Sequence, residues 1–542
     1  MSGRRPAGRH AEGRGREGYL AARVLNALLR EDYRGLSGRV RRRKDRVVLE
    51  LPGGIDVRLA PAVSEELMPA ALFQDFVVDP AESLALDDVL RALAEFADPA
   101  DAAGVTAFAA ECHAALRALD LHDAHRDAVL PRIGRTPDDR DPIDYEILAA
   151  FADHPVYPTA RARHGLSDAQ LLAYAPEFAP GFELRWAAVP AERVHGASPP
   201  WRPGFVQVGL DGRLADSHVL FPVHPLSVPE VAAIPGVTVG REPYLAVRPT
   251  LSMRTVQVRR DTHLKLPLAT STLGLRNRRS IKPGTLTDGA RAETLLREIA
   301  AGFGGIVLAD EQTYGHAGHE YLGWMVRRLP RGRIVPVAAL LAPAPGGRTV
   351  IEELSGGDVA GLLQEYLTLL LRWNVTLLVR YGVALEAHQQ NLSLLFDGGM
   401  KLLVKDNDGL LVLPDRLRAA GHAVPEFADR RLLTRDPHAL ADVFVTITLH
   451  LAAAAVAFGA LPAGQARRMV AGTLAAALDE HGEDPMARLL RARTLDAARL
   501  VGKSMIIAGT LVAKSRTGAA DVNKYYGTSG PNYLRRAFRP TQ

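Results

Sequence analysis

Cysteine is almost missing from this chain: 542 residues contain one, Cys112. A single thiol makes no internal disulfide and no cysteine-based zinc site, which fits a reducing compartment. Lysine is scarce too. Of the 66 basic residues only eight are lysines, so each lysine marks a place where a compact point charge is wanted instead of a planar fork. No apolar run has the character of a membrane span. The longest, Phe444 to Leu461, is interrupted by Thr446, Thr448 and His450 and is mostly alanine at its centre. A span needs about 20 strongly apolar residues, so a buried helix is expected. The first residues hold arginines and glycines but no apolar stretch, unlike a secretory signal. A cytoplasmic protein without a membrane partner is expected.

An excess of one charge is also lacking. Sixty-six basic residues face 61 acidic ones, a net +5, and Met1 to Glu17 supplies a side-chain excess of three through Arg4, Arg5, Arg9, Arg14 and Arg16. The remaining body is close to neutral, which does not call for a nucleic-acid partner. The standard cofactor signatures are absent as well. Gly502-Lys503-Ser504 looks like the end of a phosphate-binding loop, but Ala497 stands where that loop needs glycine. Gly302, Gly304 and Gly305 lack dinucleotide spacing, His316 to Glu320 is not in zinc-protease order, and no nucleophile elbow occurs.

What is present is a globular composition, 47% hydrophobic and 23% charged, with length for roughly three to four domain-sized units. Residues 1–17 read as a disordered basic tail. Residues 18–140 form an N-terminal region, with a hairpin at Val47 to Leu51 and Ile55 to Leu59 and helices from Pro80 onward. The run Arg41-Arg42-Arg43-Lys44 reads as a solvated strand entry. His113, His122 and His125 are expected at the surface or as caps. Residues 141–355 carry β-type runs at Phe205 to Leu210, Val219 to Val223, Leu245 to Val247 and Val256 to Val258. Residues 356–542 read as helical around one central hairpin.

Chemistry concentrates in two segments. In the first, a long helix from Asp358 to about Tyr381 ends at Gly382; Glu386, His388, Gln390 and Asn391 follow. Leu392 to Phe396 and Met400 to Val404 form a hairpin around Asp397-Gly398-Gly399, and Asp406, Asp408 and Gly409 come directly after. Closing the hairpin brings Asp408 near His388, Gln390 and Asn391, a hard-oxygen group suited to Mg²⁺ with phosphates as further ligands. In the second segment, Ser252, Arg254 and Thr255 precede a strand. Lys265 sits in an apolar run, where an unpaired ammonium would be costly. Thr270, Ser271, Thr272 and Arg276 follow, a set of donors fit for a polyphosphate or a polycarboxylate.

These segments resemble the nucleotide-binding motifs of the NRPS-independent siderophore synthetases, the IucA/IucC family. Asp153-His154-Pro155 with Arg161, Arg163 and Gly165, then Tyr174 to Phe178, then Phe221 to Pro225, follow in family order from about Pro142 to the C-terminus. Tyr157 stands where many members have a second histidine, and Lys405 where many have arginine. The resemblance implies an α+β cupped-hand fold of thumb, fingers and palm, with an ATP cleft and a kinase-like hairpin. It implies adenylation of citrate or a related acid, then capture by an amine or hydroxylamine with release of AMP and pyrophosphate, often in a homodimer. Carried over, Ser252, Arg254 and Thr255 line the nucleotide cleft, and Lys265 and Arg276 hold the α-phosphate, with Arg278 and Arg279 as alternatives in register. Thr272 and His388 touch both phosphates and acid. Glu386, Gln390, Asn391 and Asp408 hold nucleotide or magnesium, with Asp408 and Glu386 as the metal ligands. Lys503, placed on a C-terminal helix, binds the acid. A kinase-like phosphotransferase and an inactive binding protein are the competing readings. Such kinases carry a base aspartate where this chain has Gln390.

Overall fold

The computed structural model describes residues 15–62, 67–68, 71–519 and 524–536. Helix Gly15–Arg30 buries Leu20, Val24, Leu25 and Leu28. It shares a core with a four-stranded antiparallel meander, Val40–Arg42, Val47–Leu51, Ile55–Pro61 and Phe76–Val78. The expected hairpin is there, with Val47 opposite Leu59. Of the expected tail, residues 1–14 lie outside the described residues. Gly15 to Glu17 already belong to the helix, where the Glu17 carboxylate accepts the Leu86 amide.

Helices Leu86–Phe96 and Ala102–Val129 pack onto that first helix. His122, expected at the surface, is buried. The 28-residue helix that carries it is covered on this side by Phe151 and Phe178, and the imidazole bridges Glu177 and Arg161. His113 stays exposed beside Asp87, and His125 donates to the Leu121 carbonyl of its own helix.

The middle of the chain forms a seven-stranded sheet. Its order is Phe182–Glu183, Ala246–Pro249, Thr255–Arg259, Thr262–Lys265, Leu322–Arg328, Asp310–His319 and His195–Gly196. A three-stranded sheet, His218–Val223, Arg185–Pro190 and Thr238–Val239, packs beside it. The run Phe205 to Leu210 is not a strand. The Leu210 amide turns back to the Phe205 carbonyl, and Gly209 at φ 74° closes a short 3-10 turn.

The hairpin forms as expected, with Leu392 opposite Val404 and Phe396 opposite Met400. Arg333–Pro336 pairs with its first strand and Ile306–Leu308, in parallel, with its second. This sheet therefore takes strands from both sides of residue 355. Helix Val359–Thr376 continues through a wider turn to Tyr381 and stops at Gly382, whose φ of 65° is the left-handed conformation glycine adopts without steric cost. Pro437–Ala460 is long and apolar enough to cross a membrane by length and composition, yet 89% of its apolar window is buried inside the fold. It lies in the largest hydrophobic cluster, with Leu367, Leu371 and Trp373.

Candidate active site

Lys265 ends its strand 3% exposed, and its ammonium meets two carboxylates. It pairs with Asp406 and, at 3.4 Å, with Asp408. Asp406 follows the hairpin with φ 65°, an uncommon conformation for a non-glycine residue, and its amide is fixed by Glu311 at 2.9 Å. Arg327 reaches Asp406 at 3.5 Å and also pairs with Glu311. Burial alone would raise the Asp406 carboxyl; Lys265, Arg327 and Arg254 outweigh it and hold the group well below the usual carboxylate range. Asp408 packs against helix Pro283–Ala300 at Gly289, where a Cβ would lie 3.4 Å from the Asp408 Cβ, so the helix leaves room for the aspartate loop. On its other flank, a Cβ at Gly409 would fall 2.7 Å from the Glu386 carboxylate, so a side chain there would push the Glu386 side chain aside.

The loop after Gly382 is pinned by its own amides. Asn391 donates to the Glu386 carbonyl at 3.1 Å, and the Asn391 amide donates to the His388 carbonyl at 2.9 Å. The Gln390 amide donates to His388 Nδ1 at 3.3 Å, so the imidazole proton sits on Nε2. Burial and the charges of Lys503, Arg279 and Lys405, against Asp406, lower the His388 pKa to about 4. His154 is built the same way. Its Nδ1 accepts the amides of Val156 and Tyr157 at 3.2 and 2.9 Å. Burial, then His388, Arg23, Arg30 and Lys503, lower its pKa to about 3. The site thus holds two neutral imidazoles whose Nε2–H groups are donors.

The second segment meets the first across the strand edge. Ser252 Oγ accepts the Thr255 amide at 3.1 Å and lies 3.3 Å from Thr250 Oγ1. Arg254 donates to the Ser280 carbonyl at 3.0 Å, and its charge acts on Asp406 and Arg279. Arg276 does not join the cluster. Its guanidinium donates to the Ala508 carbonyl and its amide to the Gly509 carbonyl, each at 3.0 Å, tying the loop to the C-terminal segment. Arg279 faces the aspartates instead. Its Nε is buried without a hydrogen-bond partner among the described residues, and burial with neighbouring Arg254 lowers its pKa to about 9. Thr272 is half-buried in the same loop, where its carbonyl accepts from Asn277. Lys503 is not on a helix. It follows strand Arg499–Gly502 in an irregular stretch, and its charge reaches both His154 and His388.

Sequence reasoning held Arg279 only as an alternative in register to Arg276, and it missed His154 as a donor and the Arg327–Glu311 pair. Arg327 lies opposite His263, two residues before Lys265. The two family departures are absorbed locally: Tyr157 donates to buried Glu111 at 2.8 Å, and Lys405 pairs with Glu146 at 3.3 Å.

Among the described residues no group of three or more His, Cys, Asp or Glu side chains is arranged to hold a metal ion. Lys265 engages both aspartates in this structure.

Cations, neutral imidazole donors and paired carboxylates meet at one site, a chemistry suited to anions. Residues 142–342 match the IucA / IucC family. Residues 362–507 match the family described as ferric iron reductase FhuF-like transporter. That stretch has no cysteine, so it cannot build a thiolate-ligated iron–sulfur cluster. The rhizobactin siderophore biosynthesis protein RhbC of Rhizobium meliloti is 26% identical over 333 residues, 52% of this chain and 56% of RhbC. The chain spans about half the length of the curated relatives it matches. Among solved structures, the petrobactin biosynthesis protein AsbB of Bacillus anthracis superposes with TM-score 0.71 at 15% identity, over 98% of this chain and 97% of AsbB. ATP-bound aerobactin synthetase IucA of Klebsiella pneumoniae gives 0.67 at 16% identity, over 97% and 100%. The expected α+β synthetase fold is the fold observed.

Proposed function

We propose that this protein is an ATP-dependent siderophore synthetase, an AMP-forming acid–amine ligase working in the cytoplasm. The observation that carries the reading is the convergence of Arg254, Lys265, Arg279 and Lys503 with the neutral donors His154 and His388 on one cleft. ATP and a citrate-like acid are both anions, and only a cationic cleft brings them together. A carboxylate oxygen of the acid attacks the α-phosphorus. The bond from that phosphorus to the oxygen bridging it to the β-phosphate breaks, and pyrophosphate leaves with the electron pair. Lys265, Arg254 and Arg279 face the charge that develops there. Magnesium supplies charge neutralisation on the phosphates, and Asp408 is the residue that would hold it.

The amine nitrogen then attacks the acyl carbon. The carbon–oxygen bond to AMP breaks, AMP leaves with the electron pair, and the nitrogen loses its proton to water. His388, neutral with Nε2–H, donates to the acyl or phosphate oxygen and takes no proton at neutral pH. Holding both reactants in one cleft makes the attack effectively unimolecular.

A hydroxylamine trap tests the reading. With ATP, Mg²⁺, hydroxylamine and a panel of acids led by citrate, acid-dependent AMP and a hydroxamate are expected. ADP would instead identify a phosphotransferase, and no acid-dependent nucleotide turnover across the panel a binding protein.

A further inference from the structure

A cavity of about 870 Å³ lies between the N-terminal sheet and the strand pair Arg499–Gly502 and Thr528–Pro531. Its walls carry four arginines, Arg30, Arg42, Arg499 and Arg536, against two aspartates, Asp32 and Asp75. Asp75 is shared by Arg499 and Arg536, at 3.3 and 3.4 Å, and Asp32 accepts the Ser37 amide. Arg30 and Arg42 have no carboxylate within salt-bridge distance among the described residues. Each lies over a phenylalanine face, Phe73 and Phe76 respectively, at 5.8 Å, which fixes the guanidinium plane and leaves donors at its edge.

The strand explains why Arg42 differs from its neighbours. Alternation along Val40–Arg42 sends Val40 and Arg42 to the cavity, while Arg41 and Arg43 turn to the outer face and pair with Glu50 and Asp56. The cavity also backs onto the cleft. Arg30 donates to the Val156 carbonyl in the loop that carries His154, and its charge acts on His154, which also feels His388 and Lys503. Gly502, one residue before Lys503, packs against Thr528 of the cavity wall.

We propose that this cavity receives the carboxylate of the second substrate, so that the amine condensed here is an amino-acid-type amine and not a plain polyamine. The inference rests on the synthetase reading. Matched amines on the full-length protein with ATP, Mg²⁺ and the activated acid test it: ornithine against putrescine, lysine against cadaverine, 2,3-diaminopropionate against ethylenediamine. The carboxylated member of a pair is expected to be consumed with a kcat/KM about tenfold higher, the size of one lost charge-assisted hydrogen bond. Arg42→Gln, at an exposed position, is expected to erase that preference by raising the KM of the carboxylated amine. Hydroxylamine trapping and the decarboxylated amine should be unchanged. Arg499→Gln provides a second exposed variant with the same expected direction. Equal use of both members, preference for the decarboxylated one, consumption of neither, or an Arg42→Gln effect on trapping itself overturns the inference. Failure of trapping in the wild-type protein takes the synthetase reading down with it; successful trapping without a carboxylate preference removes this inference alone.

Discussion

Removing the Asp408 carboxylate should separate chemistry from folding. In Asp408→Asn the Lys265 ammonium keeps Asp406, so the buried charge remains paired. AMP release is expected to fall roughly 10²- to 10³-fold with little change in melting temperature. Wild-type turnover in that variant would free Asp408 from any role at the phosphates. Arg279 and Arg276 offer a sharper contrast: Arg279→Gln should cost turnover, whereas Arg276→Gln should chiefly lower stability, through the lost Ala508 contact. Lys265 was legible in the sequence because an ammonium in an apolar run demands partners. The arginine was not. Three arginines fall within four positions, and the choice among them is made by carbonyls 232 residues further along the chain.

Elements with a local signature were equally legible. The Asp397-Gly398-Gly399 turn fixes its own strand pair, and Gly382 stops its own helix. The stretch around Lys503 was misread as helix because its conformation is set from outside. Glu31, in the turn just after the first helix, accepts the amides of Ile506 and Ile507 at 3.0 and 2.9 Å. Burial raises its pKa to about 7, against Arg30 and those amides. Because the folded pKa lies above the unfolded value, ionisation costs stability, and that cost grows as pH rises from about 4.5 to 7. Glu31→Gln keeps an oxygen acceptor and removes the charge, so at pH 8 it should melt no lower than wild type. Glu31→Ala orphans the amides and should lose roughly 1–3 kcal/mol by urea titration.

At the scale of the molecule, the imidazoles that burial keeps neutral set the acid response, His122 and His263 among them. Burial lowers His154 and His224 to about 3 and His388 and His450 to about 4. The unfolded chain therefore binds protons that the folded chain refuses, and stability should fall as pH drops from about 6.5 to 4, by several kcal/mol in total. Denaturant midpoints across that range check it; a flat profile would place charged imidazoles in the fold. Ile506 belongs to the N-terminal core with Leu20, Val24 and Leu28. Ile506→Ala should cost about 2–5 kcal/mol. Far-separated contacts of this kind have no local sequence pattern, which is why the sequence did not reveal this shared core.

That shared core bears on how the protein is made. Glu31 waits for partners 475 residues downstream, and Leu28 for Ile506 and Leu511. This region is synthesised well before the segment that completes it, so its apolar face needs cover until Ile506 and Leu511 have been made. A chain cut short before residue 506 lacks the residues that complete this core, so premature termination is expected to yield material for chaperones and proteases.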